Sequence, residues 1–160
     1  MTFHSGEAYT DSDICIAAPD VLAIRQSIIL EDVASSIVSW LEAGEHRDDV
    51  YYFSIYHDRT LIGQILLHDI DEQARTSLVA YHLFEPSYRG RGIGTRALQL
   101  FVRFVSEHTN LSSLVIITSN DNIASQRIAQ KCGFVHVGVP REHPRDGLVF
   151  RWHRPEVSAP

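Results

Sequence analysis

The chain has 160 residues, 44% of them hydrophobic, which suits one globular domain, residues 1–160, built around a sizeable core. Its formal charge of −6 argues against general nucleic-acid binding, which draws its affinity from neutralised phosphates. No apolar run approaches the ~20 residues of a membrane span, the N-terminal MTFHSGEAYTDSDIC lacks the blocks of a secretory leader, and Cys15 and Cys132 are too few for a disulfide framework or a zinc site, so a cytoplasmic home without membrane or metal is expected.

The first twelve or so residues are polar and read as a loose arm. VLAIRQSII (21–29) reads as a strand, although its apolar run also fits a turn of buried helix. LEDVASSIVSWLEAG follows with Val33, Ile37, Trp40 and Leu41 at helical spacing and Gly44 as a stop. VYYFSIYH (50–57) and LIGQILLHDI (61–70), joined by the short link DRT, give a hairpin signal. SLVAYHLF (77–84) makes a third sequential strand, antiparallel to its predecessor. The clearest helix comes after the next turn, with Ile93, Ala97, Leu100, Phe101, Phe104 and Val105 on one face. SLVIIT (113–118) is a buried-strand run. NDNIASQRIAQKCGF is a helix with Asp121 or Asn122 as N-cap and Gly133 as its stop. FVHVGVP and GLVFRWH close the chain as strands. A mixed sheet with helices, α/β or α+β, is predicted rather than a doubly wound nucleotide fold.

FEPSYRGRGIGTRAL (84–98) gathers three glycines and three arginines where a strand becomes a helix. Glycine permits positive φ and removes the Cβ that would keep a ligand from the main chain. Successive amides at a helix N-terminus then converge on an anion, and arginine adds charge-assisted hydrogen bonds. A tight turn with solvated arginines is the plain alternative. A P-loop would need Gly-Lys-Ser/Thr, and no lysine is near. Gly92, Gly94 and Ala97 can be read as a dinucleotide fingerprint, but the turn lies mid-chain, and Ser112 and Ser113 stand where a ribose-binding acid belongs.

Arg89-Gly90-Arg91-Gly92-Ile93-Gly94 resembles the Q/R-x-x-G-x-G/A signature of the GNAT superfamily of acyl-CoA-dependent N-acyltransferases. NIASQRIAQKCGF resembles that family's later N-x-x-S…K-x-G-F segment through Asn122, Ser125, Lys131, Gly133 and Phe134. With VGVPRE, these segments look most like the ribosomal-protein N-acetyltransferase (Rim) type. The resemblance implies a mixed, mostly antiparallel sheet of six to seven strands flanked by helices and splayed at the CoA site. It also implies acetyl-CoA as co-substrate and acetyl transfer to a primary amine, on a small cationic molecule or a protein N-terminus, by direct attack in a ternary complex. A CoA-binding module without turnover is the alternative. A homodimer is the base-rate expectation.

By the same resemblance, the amides of Gly90, Arg91, Gly92, Ile93, Gly94 and Thr95 hold the CoA pyrophosphate, bracketed by Arg89 and Arg91. The pantetheine arm pairs with the main chain of His82, Leu83 and Phe84, and Asn122 and Ser125 approach it from the far side. Asn122 also reads as a helix cap, and Ser125 as an exposed helical residue. Relatives often carry Glu or His early in the strand before the turn. Here Leu78 and Ala80 are apolar, which leaves His82 as the candidate base on that face, or as a ring packed beside the ligand. Tyr81 points to the opposite face, as a core residue. The family's thiolate-protonating tyrosine is replaced by Ala129. The nine histidines form no compact ligand motif, Cys132 reads as filler, Trp40 and Trp152 as core or groove-lining, and REHPRDG (141–147) as a loop that edges the acceptor groove.

Overall fold

The computed structural model describes residues 8–18, 51–142 and 144–156. The strand expected over 21–29, the helix expected over 30–44 and Trp40 lie outside them. The described elements are β1 (Ala8–Asp11), β2 (Ile14–Ala17), β3 (Tyr51–His57), β4 (Thr60–Asp71), β5 (Thr76–Leu83), a 3-10 turn (Pro86–Tyr88), α1 (Ile93–His108), β6 (Ser113–Ser119), α2 (Ile123–Lys131), β7 (Val135–Gly138) and β8 (Gly147–His153). The strands form one sheet in the order β1-β2-β3-β4-β5-β6-β8-β7. Every described pairing is antiparallel except β5 with β6. Among the described residues, no helix is long and apolar enough to cross a membrane.

The described residues alone give the sheet eight strands, against the six or seven expected, because part of the expected loose arm forms β1. β1 pairs with β2, and β2 with β3. Ile14 and Ile16 are fully buried while Cys15 faces the other way, a period-2 pattern too short to stand out in the sequence. β1 offers only Tyr9 to the core, and its hydroxyl donates to Glu107 of α1 at 2.8 Å. The β3–β4 hairpin turns on Asp58 and Arg59, both at positive φ (45° and 68°), the left-handed pair that a two-residue connection needs.

The core lies between one face of the sheet and α1. Ile93, Ala97, Leu98, Leu100, Phe101, Phe104 and Val105 are buried, so the predicted apolar stripe is the packed one, widened by Leu98. Phe53 of β3 meets the rings of Phe101 and Phe104 edge-on at 5.5 and 4.8 Å. Trp152 is buried on the same side and belongs to the core. Both ends of α1 are fastened. Near its start, Arg96 donates to Asp11 and Asp13 of the β1–β2 hairpin. At its end, Arg154 donates to the carbonyls of Val105, Ser106, Thr109 and, just beyond the helix, Leu111; Val105 also accepts the N–H and hydroxyl of Thr109.

Candidate functional site

β5 and β6 pair only through Thr76↔Ser113, Ser77↔Leu114 and Leu78↔Val115. β5 then continues to Leu83 and β6 to Ser119 without further pairing, so the sheet opens between them. The opening holds a crevice of about 240 Å³, walled by Leu78–Tyr81 of β5, Ile116–Thr118 of β6, His68, and Asn122 and Ser125 at the start of α2. Which main-chain groups face it follows from the antiparallel ladder. The Phe84 N–H donates to the Ile62 carbonyl at 2.9 Å. Alternation therefore turns the main chain of Phe84, His82 and Ala80 toward β4, and that of Leu83, Tyr81 and Val79 toward the opening. Of the three residues expected to pair with an inserted ligand, only Leu83 presents its backbone there. A Cβ on Gly63 would collide with the His82 carbonyl oxygen, so this glycine is what allows β4 to approach β5 so closely.

The glycine turn stands where β5 leads toward α1. Gly90 and Gly92 have φ of +74° and +76°, which L side chains rarely adopt, and a Cβ built on either would meet nothing within 4 Å. The space around the turn is open. Gly92 is the N-cap of α1 and brings no side chain to its first turn, which also holds no acidic residue. The first amides of a helix have no partner within it, so this end is a donor-rich, electropositive cradle for an anion. Thr95 lies one turn in, its carbonyl accepting the Cys132 thiol at 3.4 Å. Gly94 packs against α2, where a Cβ would come within 2.9 Å of Ile128 Cδ1. Arg89 and Arg91 are exposed beside the turn, Arg91 lying 5.7 Å above the Tyr88 ring. The third arginine, Arg96, is occupied elsewhere: its 2.7 Å contact holds Asp13 below the usual carboxylate range.

Asn122 caps α2, its Oδ1 accepting the Ser125 N–H at 3.0 Å, and it also lines the crevice. Ser125 is half-buried rather than exposed, and its Oγ lies 2.9 Å from the Tyr81 hydroxyl. The Tyr81 hydroxyl also reaches the Ser125 carbonyl at 3.0 Å. The expectation that Tyr81 is merely core is thus corrected. Its ring leans on the core, but its hydroxyl reaches across to α2 at Ser125, and the residue lines the crevice where β5 and β6 are no longer paired. Burial pushes its phenol up to about 12, against the lowering effect of the bond to Ser125. Strand alternation could have placed Tyr81 on that face, but nothing in the sequence announced Ser125 as its partner.

His82 is exposed on the opposite face, edge-on to Phe84 at 5.7 Å, and does not line the crevice itself. Partial burial, and then the Arg89 charge, hold its imidazole below the ordinary histidine value, so it is neutral at pH 7. Burial likewise raises the Cys132 thiol to about 11, in keeping with an inert filler. Asp13, His57 and Asp58 do come together, which the sequence reading of the histidines did not foresee. His57 Nε2 lies 2.7 Å from Asp13, whose other oxygen already takes Arg96, so the group is an ion-pair network tying the β1–β2 hairpin to α1.

A sheet opened between two parallel strands, with an anion cradle beside it, defines a class of proteins that thread an extended, phosphate-bearing ligand through the gap. The family model described as Acetyltransferase (GNAT) domain matches residues 9–135, and the chain belongs to that family. Among curated relatives, the probable N-acetyltransferase YjcK of Bacillus subtilis (strain 168) is 29% identical over 68% of this chain and 61% of its own length. The ribosomal-protein-serine acetyltransferase of Escherichia coli (strain K12) is 33% identical over 54% of this chain and 48% of its own. These matches therefore span half to three fifths of the relatives' lengths. Among solved structures, the ribosomal L7/L12 alpha-N-protein acetyltransferase RimL in complex with coenzyme A superposes with a TM-score of 0.77, covering 92% of this chain and 98% of that one. At 17% identity that likeness concerns the fold.

Proposed function

We propose that the protein is a single-domain, cytoplasmic, acetyl-CoA-dependent N-acetyltransferase acting on a primary amine, on a small cationic molecule or a protein N-terminus. The observation that carries this reading is the opening of the sheet beyond Leu78, close to the uncapped first turn of α1. Acetyl-CoA supplies the activated acetyl group when bound. The amides from Gly90 to Thr95, with Arg89 and Arg91, hold its pyrophosphate. The main chain of Leu83, and of Tyr81 and Val79 behind it, pairs with the pantetheine arm, and Asn122 and Ser125 close the far wall. His82 and Phe84 contribute side chains rather than backbone to this arrangement.

Two proton roles follow from the pKa directions. His82 is too weak to strip a free ammonium of pKa ~10 outright. The ammonium gives its first proton to water and attacks as the free amine, and the neutral imidazole takes the second proton, from the amine nitrogen once the new C–N bond has made it acidic. Tyr81, with its phenol near 12, would be protonating a thiolate of pKa ~8.5 uphill by about 5 kcal/mol. It therefore serves as a hydrogen-bond donor to the departing sulfur rather than as its acid, its one proton turning from the Ser125 carbonyl to the sulfur while the Ser125 hydroxyl stays within reach of its oxygen. This assigns the place of the missing α2 tyrosine to a residue on β5.

The experiment is acetyl-CoA consumption across a panel of amines, alongside calorimetric CoA binding. Turnover on at least one amine is expected. Tight CoA binding with no turnover on any amine would leave a CoA-binding module instead. A homodimer is part of the same reading on base rates, and light scattering on the eluted protein checks it.

A further inference from the structure

This inference rests on the transferase reading and concerns the acceptor. On the sheet face turned away from α1, a groove of about 810 Å³ runs beside β6 and the loop between β7 and β8. Its floor is Leu78, Ile117 and Val149, which alternate along their strands with the core residues Val79, Ile116 and Phe150. Ile117 and Val149 are cross-strand partners, and Ile117 is 50% exposed, an unusual expense for an isoleucine in the middle of a sheet. Among the described residues the rim carries three carboxylates, Asp69, Glu142 and Asp146, against one guanidinium, Arg141. The Asp69 carboxylate is held 2.7 Å from His68 Nδ1, and the main chain of Asp146 is anchored where its carbonyl accepts the Asn120 N–H. Leu78, Ile117 and Thr118 line both this groove and the crevice, so the two spaces meet where β5 and β6 part.

We infer that the acceptor is a small, elongated amine with at least two positive charges on an aliphatic frame, its reacting nitrogen at the crevice and its second cation at the Asp69–Glu142–Asp146 rim. An apolar floor favours the frame. The rim, in a protein whose net charge is −6, favours a cation that is not consumed by the reaction. The groove's volume falls within the range of about 300–1,000 Å³ typical of small-molecule sites. Each exposed charge pair contributes a factor of about two to five, so the three together are worth roughly ten- to a hundredfold.

The test compares 1,8-diaminooctane, n-octylamine and an uncharged-side-chain peptide N-terminus as acceptors for the full chain with saturating acetyl-CoA. The diamine is expected to lead both by at least tenfold in kcat/KM at low salt, with the lead shrinking as salt screens the rim. The triple variant D69N/E142Q/D146N should bring the diamine down to the level of octylamine while CoA affinity is kept. Equal rates for diamine and monoamine, preference for the peptide, or an unaffected triple variant would overturn the inference. Calorimetric binding of 1,8-diaminooctane to the CoA-bound protein reads the groove without turnover. If nothing is acetylated, diamine binding that the triple variant loses upholds the groove and removes only the transferase reading. No diamine binding by the unaltered protein at millimolar concentration removes the groove.

Discussion

Gly92 offers the sharpest test of the donor cradle, because its effects on folding and on binding separate. It has φ +76° and ψ 4°, and a Cβ there would touch nothing within 4 Å. Gly92→Ala therefore pays conformational strain but no clash, about 1–2 kcal/mol. For a domain of this length that lowers Tm by about 2–8 °C, which leaves a folded protein. Gly92→Glu carries the same strain and adds a carboxylate. At about 6 Å and an effective dielectric of ~20, that charge costs about 3 kcal/mol per phosphate charge, or roughly a hundredfold each. Gly92→Asn tolerates the left-handed conformation better and separates strain from obstruction. Thermal unfolding and calorimetric CoA titration should show Glu melting close to Ala while its CoA affinity disappears. A Gly92→Glu protein that binds CoA normally would refute the pyrophosphate assignment.

The remaining predictions concern single side chains. Arg96→Ala should lower Tm but leave the CoA Kd within about threefold, whereas Arg91→Ala should raise it about tenfold or more, the worth of a hydrogen bond to a charged group; titrating both variants decides it. Because the imidazole of His82 sits below its ordinary value, the neutral base persists into acid, and the acidic limb of kcat/KM, calculated on the concentration of unprotonated amine, should fall below pH 6.5 and vanish in His82→Gln. Tyr81→Phe should cut kcat about ten- to a hundredfold at nearly constant CoA affinity, since it removes one hydrogen bond made late in the reaction; unchanged kcat in steady-state assays would return Tyr81 to a structural role. Arg154→Ala should cost about 2–3 kcal/mol by removing a donor from the carbonyls of Ser106, Thr109 and Leu111 at and just beyond the α1 terminus, Val105 keeping its bonds from Thr109, with Arg154→Lys recovering less than half in thermal unfolding.

How far the sequence discloses this molecule depends on how local each feature is. The α1 stripe, the β3–β4 hairpin and the glycine turn are written in neighbouring residues, and each stands where periodicity and turn chemistry put it. The parted strands are different, because pairing that stops after Leu78 leaves no mark on the residues that no longer pair. β1 was hidden because one tyrosine and a backbone ladder suffice to hold it. Tyr81 was misread because alternation gives a face and not a reach, and its partner lies 44 residues away. Arg96 looked like part of the arginine ring around the turn until the fold delivered Asp11 and Asp13 to it.

The opening between β5 and β6 also bears on how such a protein can diverge. A ligand held as though it were one more strand is recognised by N–H and C=O groups, which every residue but proline supplies alike. On the proposed reading, substitutions at Val79, Tyr81 or Leu83 can therefore alter packing or chemistry without erasing the ladder that receives the donor. In the proposed arrangement Ile117, Val149 and the β7–β8 loop, on the opposite face, are free to change with the acceptor. One half of the reaction so arranged is written in the main chain and is hard to mutate away. The other half is written in side chains, and a descendant could exchange its acceptor while inheriting the same donor.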